Sequence, residues 1–120
     1  MNALANVLAE VTFIPHSEGG RVQVPDCASA WYYPHLVVGD PGQRSAVVGP
    51  GNVLTEEYLG VGFAPGTEAF DFGVPREVRL RLIYFPRLAY EGVVPGATST
   101  LREGSRIVGF GRVLARQDAA

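Results

Sequence analysis

Apolar and polar residues alternate most cleanly over Val78-Arg79-Leu80-Arg81-Leu82, where aliphatic side chains share one face and arginines the other. A period of two with a single apolar face predicts an antiparallel strand, half against a core and half in water. The same reading places strands over Val7 to Ile14, Ala30 to Val38, Arg44 to Val48, Tyr58 to Phe63, Arg76 to Phe85 and Ser105 to Arg116, with almost no helix. Turn residues separate these runs: Gly19-Gly20, Gly39-Asp40-Pro41-Gly42, Gly49-Pro50-Gly51-Asn52, Pro65-Gly66 and Pro95-Gly96. Short strands punctuated in this way predict an all-β domain, either a small antiparallel barrel or a sandwich. In the last run, Glu103-Gly104-Ser105 forms a tight connection. Gly109 and Gly111, two apart and therefore on one face, leave room for a neighbouring backbone or a bulky side chain. Met1 to Asn6 and Gln117 to Ala120 are expected to be loose.

At 120 residues and 47% hydrophobic, the chain has the size of one domain, 1–120, able to bury a core without staples. Its glycines and prolines are scattered, so no repeat or low-complexity segment emerges. A single cysteine, Cys27, leaves no internal disulfide. With neither a charged start leading into an apolar run nor a long apolar stretch, the sequence reads as a cytoplasmic protein with no membrane partner.

All ten basic residues are arginine. A P-loop needs a lysine to reach the terminal phosphates of a nucleotide, and none exists here, so the chain is expected neither to bind nor to hydrolyse GTP. The net charge of −2 is unevenly laid out. Residues 1–75 carry two arginines against eight acids (−6) and residues 76–120 eight arginines against four (+4), which predicts a dipolar molecule. If the strand bearing Arg79 and Arg81 adjoined the strand bearing Arg106 and Arg112, the four would form a stripe suited to phosphates or carboxylates. The plainer alternative is a solvated outer face with arginines paired across strands to Glu77 or Glu103. Non-specific nucleic-acid binding normally comes with a strongly basic chain, and this one is slightly acidic.

The run Leu101-Arg102-Glu103-Gly104-Ser105-Arg106-Ile107-Val108-Gly109-Phe110-Gly111-Arg112-Val113-Leu114 resembles the last strand of elongation factor Tu. Val7 to Ile14 leading into Glu18-Gly19-Gly20-Arg21 resembles a strand and turn in the third domain of that family. Ala30-Trp31-Tyr32-Tyr33 falls where the domain has its aromatic strand, and Val78 to Phe85 where it has the strand before the last. The likeness is loosest from Asp40 to Pro75, which exceeds the family's connection. It implies a closed antiparallel barrel of about six strands, like the C-terminal domain of translational GTPases but as a chain without the GTPase. In the family, the Glu-Gly turn contacts the T-stem of aminoacyl-tRNA, which implies Glu103 and Gly104 as possible contacts. The family's Arg-Thr-Thr-Asp run is replaced by Pro34-His35-Leu36-Val37, which removes a second tRNA-contacting element.

Catalytic chemistry is thinly represented. His16, Cys27 and His35 would allow a Cys/His pair or a zinc site, but they lack metal-ligand spacing. Cys27 after Pro25-Asp26 reads better as a small buried hydrophobe. No Gly-x-Ser-x-Gly elbow surrounds Ser45 or Ser105, and Glu56 and Glu57 as neighbours point apart. No catalytic residue, cofactor or metal is expected. In Trp31-Tyr32-Tyr33, alternation puts Trp31 and Tyr33 on one face and Tyr32 on the other, with Trp31 expected in the core. Exposed members, with Tyr58, Tyr84 and Tyr90, would anchor a protein interface or stack on bases. The first functional reading is a non-catalytic module for a protein partner. The second is an RNA-binding module that meets tRNA through Glu103, Gly104, Arg106, Arg79 and Arg81, and a small enzyme is a distant third.

Overall fold

A computed structural model describes residues 5–29 and 31–118. Its strands are β1 (Asn6–Phe13), β2 (His35–Val38), β3 (Leu59–Phe63), β4 (Arg76–Leu82), β5 (Thr98–Glu103) and β6 (Arg106–Gln117). All neighbours are antiparallel, and the order β1-β4-β3-β2-β5-β6 closes into a barrel with no free edge. The only helical pieces among the described residues are two 3-10 turns, His16–Glu18 and Pro50–Asn52.

The alternation that predicts β4 decides which face is inside. Val78, Leu80 and Leu82 are buried, Arg79 is exposed and Arg81 half-buried. Val7, Ala9, Val11 and Phe13 of β1 meet them in the core with Val61 and Phe63 of β3 and Leu101 of β5. Burying each such large side chain contributes about 1.5–3 kcal/mol. Gly109 and Gly111 do what their spacing predicts: a Cβ at Gly111 would lie 2.4 Å from the Glu10 carbonyl oxygen, and one at Gly109 2.7 Å from that of Thr12. The two glycines therefore bring β6 close against β1.

In the ring of six, β1 lies opposite β2 and β4 opposite β5. Their connections must each cross a barrel end. Residues 14–34 cross one end and bring Tyr32 onto Phe63 (centroids 5.8 Å apart), beside a T-shaped Phe13–Phe70 pair at 4.8 Å. Residues 83–97 cross the other end, where Tyr90 and Val93 are buried. The segment 39–58 joins neighbouring strands yet is long, because it folds back over the outer wall of β2 and β5.

Several sequence expectations change. Of Ala30 to Val38 only His35–Val38 is strand; Ala30 lies outside the described residues, and Trp31 is 88% exposed while Tyr32 is the ring that packs inward. Arg44 to Val48 forms no strand, only a bridge from Val48 to Leu54. β5 goes unseen in the sequence, so Val78 to Phe85 is not the strand before the last. β5 is polar because both its faces are covered: Ser99, Thr100, Leu101 and Arg102 are all buried, one face by the core and the other by segment 39–58. Of the termini expected to be loose, residues 1–4 and 119–120 lie outside the described residues, whereas Asn6 and Gln117 are strand residues that pair with each other.

Candidate functional site

β3 reads Leu59-Gly60-Val61-Gly62-Phe63, with Leu59, Val61 and Phe63 turned into the core and only glycines on the outer wall. A Cβ at Gly60 would sit 2.5 Å from Cε2 of Tyr84, and one at Gly62 3.0 Å from Cε1 of Tyr33 and 3.1 Å from Cδ1 of Ile83. The glycines are thus a floor on which two aromatic rings lie directly against the sheet. Both rings stay half in water, Tyr33 at 51% and Tyr84 at 49% exposure. With His35, Arg81 and Ile83 they line a groove of about 400 Å³.

Tyr84 is placed from below by Tyr90. The Tyr90 hydroxyl donates to the Gly60 carbonyl (2.6 Å) and accepts from the Tyr84 N–H (3.1 Å), while Arg116 donates to the carbonyls of Tyr90 (2.6 Å) and Ala89 (2.9 Å). Burial raises the Tyr90 pKa, so the hydroxyl stays a donor. Arg81, the register partner of Gly62, reaches into this wall and spends one N–H on the Phe63 carbonyl (3.1 Å). Its Nε is buried with no acceptor, and no acid pairs with it among the described residues.

Next to the groove, on the same outer wall, Arg102 is the register partner of His35 and is fully buried. Its guanidinium donates to both carboxylate oxygens of Glu56 (2.9 and 3.1 Å) and to the Tyr58 hydroxyl (2.9 Å), and its Nε to the Thr100 hydroxyl (2.9 Å). Those bonds from Arg102 hold the Glu56 carboxyl down at about 2 against the opposing pull of burial, helped by the Val47 N–H and the Gln43 amide. For Arg102, burial works against the charge, but Glu56 outweighs it and raises the pKa. This pair fastens segment 39–58 to the barrel. No sequence pattern singles it out, because the partners stand 46 residues apart.

The residues expected to act together are dispersed. Glu103, Gly104 and Arg106 lie at the β5–β6 turn, where Gly104 has φ of 60°. The Glu103 carboxylate is engaged by Arg21 and by the Tyr32 hydroxyl (2.7 Å), so it ties residues 14–34 to the barrel. Arg106 is exposed beside this pair. Arg79 donates to Asn6 Oδ1 (2.5 Å). The proposed stripe does not form: β1 stands between β4 and β6, keeping Arg79 and Arg81 from Arg106 and Arg112. Arg112 instead faces Glu10 of β1 in register.

Cys27 is buried, and burial with the nearby Asp26 charge pushes its thiol up to about 12, as befits a small hydrophobe. His16 is exposed in the first 3-10 turn and His35 stands edge-on to Tyr58 at 5.9 Å. Among the described residues no cluster of three His, Cys, Asp or Glu could hold a metal ion, and no helix is long and apolar enough to cross a membrane. The clearest missed signal is Gly60-Val61-Gly62, glycines with the period of a strand beside an aromatic-rich chain, which is how a sheet prepares to be covered by rings. No protein-family model and no curated protein matches the chain.

Proposed function

We propose that this chain is a non-catalytic protein-binding module, a barrel akin to the third domain of elongation factor Tu. One observation carries the reading: Tyr33 and Tyr84 lie half-exposed on a glycine floor, with Trp31 at 88% exposure two residues from Tyr33. Tyr and Trp exposed at a surface are the residues that anchor protein interfaces, since they bring large contact area at small entropic cost. The closed barrel offers no edge for strand addition, so recognition must run through side chains on the wall. The alternative of RNA binding has less support, because Glu103 is already engaged and the arginines are scattered or paired.

The test is photo-crosslinking in the native cell with benzoylphenylalanine at Tyr84 and, as a control on the far wall, at Arg112. Protein adducts specific to position 84 are expected. Adducts that digest with ribonuclease, or equal yields at both positions, would defeat the proposal.

A further inference from the structure

Resting on that reading, we infer that the Tyr33–Tyr84 groove takes an acidic segment of the partner, a carboxylate side chain flanked by aliphatic ones. Arg81 is a cation in an apolar wall, tied to one carbonyl, with a buried Nε lacking any acceptor and no acid in contact among the described residues. Arg81 lines the groove with its charge unpaired among the described residues, so an arriving carboxylate can form a charge-assisted hydrogen bond with its guanidinium. No groove-lining residue carries a negative charge. Arg87, exposed in the turn that begins at Ile83, adds a second cation at the rim.

The rest of the groove sets the apolar half of the ligand. Ile83 and the two tyrosine rings flank an apolar slot, and exposed apolar surface follows at Leu88, whose N–H bonds the Tyr84 carbonyl (2.9 Å). A small carboxylic acid would leave that continuation uncovered, whereas an extended peptide covers both. The ligand is therefore a polypeptide segment, with Arg81 meeting its carboxylate and Tyr33 and Tyr84 gripping the neighbouring side chain.

The experiment titrates ¹⁵N-labelled protein with capped Leu-Glu-Leu and Leu-Gln-Leu peptides and follows the backbone amides of Gly60, Gly62 and Arg81. Charge-assisted hydrogen bonds are roughly twice as strong as neutral ones, so the glutamate peptide should bind about fivefold more tightly. Raising salt from about 0.05 to about 0.5 M should shrink that preference. Arg81→Met should abolish the preference while leaving weak binding of both peptides. Equal affinities, shifts confined to other parts of the barrel, or no binding of either peptide overturn the inference. The glutamate-to-glutamine comparison on the unaltered protein decides it even if the variant does not fold. A cellular partner that crosslinks at position 84 with undiminished yield in an Arg81→Met background would overturn this inference and leave the protein-binding reading standing.

Discussion

At the scale of single residues the molecule depends on a charge pair that the chain brings together from far apart. Arg102 has no exposed surface, whereas the Glu56 side chain retains 15%. The two partners should therefore respond unequally to loss of the other. Glu56→Ala strands a buried guanidinium and should cost about 3–5 kcal/mol, while Arg102→Met frees a carboxylate that can turn to water and should cost less than half as much. Urea unfolding of the two variants checks the order. The pair also sets an acid limit. Glu56 titrates at about 2 in the fold against an ordinary 4.5, so its stabilisation is complete above about pH 4.5 and is lost as pH falls toward 2. Unfolding free energy measured from pH 5 to 2.5 should fall more steeply for the native chain than for Glu56→Gln, which carries no titrating group at that position.

At the scale of strands, identical substitutions separate two uses of glycine. Gly111 lies against backbone: its Cβ would meet the Glu10 carbonyl at 2.4 Å, and neither β1 nor β6 can yield without breaking their pairing. Gly60 lies against the ring of Tyr84, a half-exposed side chain that can swing away. Gly111→Ala should lower the midpoint of chemical denaturation by the equivalent of about 1–3 kcal/mol, the usual cost of overpacking, and Gly60→Ala by much less while displacing Tyr84 from the groove. Strand legibility follows the same physics. β4 and β1 show in the sequence because each has one wet face or one clear aliphatic row. β5 does not, because on its covered outer face Thr100 and Arg102 replace an apolar pattern with internal hydrogen bonds. Trp31 misleads because aromatic content alone suggests burial, and only the crossing of residues 14–34 over the barrel end determines that Tyr32 turns inward. The groove escapes notice because it joins residues from β2, β3, β4 and the turn after β4, a meeting set by ring order.

At the scale of the whole molecule, ring order also mixes the two differently charged sequence halves. Strands from residues 1–75 and from 76–120 are interleaved, and the pairs Arg21–Glu103, Arg76–Glu68 and Arg102–Glu56 each join one half to the other. With β1 standing between β4 and β6, the arginines of the second half form no continuous stripe of the kind that phosphates would bridge. Filter binding with total tRNA at about 0.15 M ionic strength, where screening reaches about 8 Å, should accordingly give no sub-micromolar affinity. The surface feature assigned to recognition is the aromatic groove. Native mass analysis of the protein isolated from its own cells, compared with a Tyr33→Ser/Tyr84→Ser form, tests its role most directly. The account predicts a complex whose added mass is polypeptide and which is absent from the double variant; added mass removed by ribonuclease, or a complex that persists undiminished without the two rings, would contradict it.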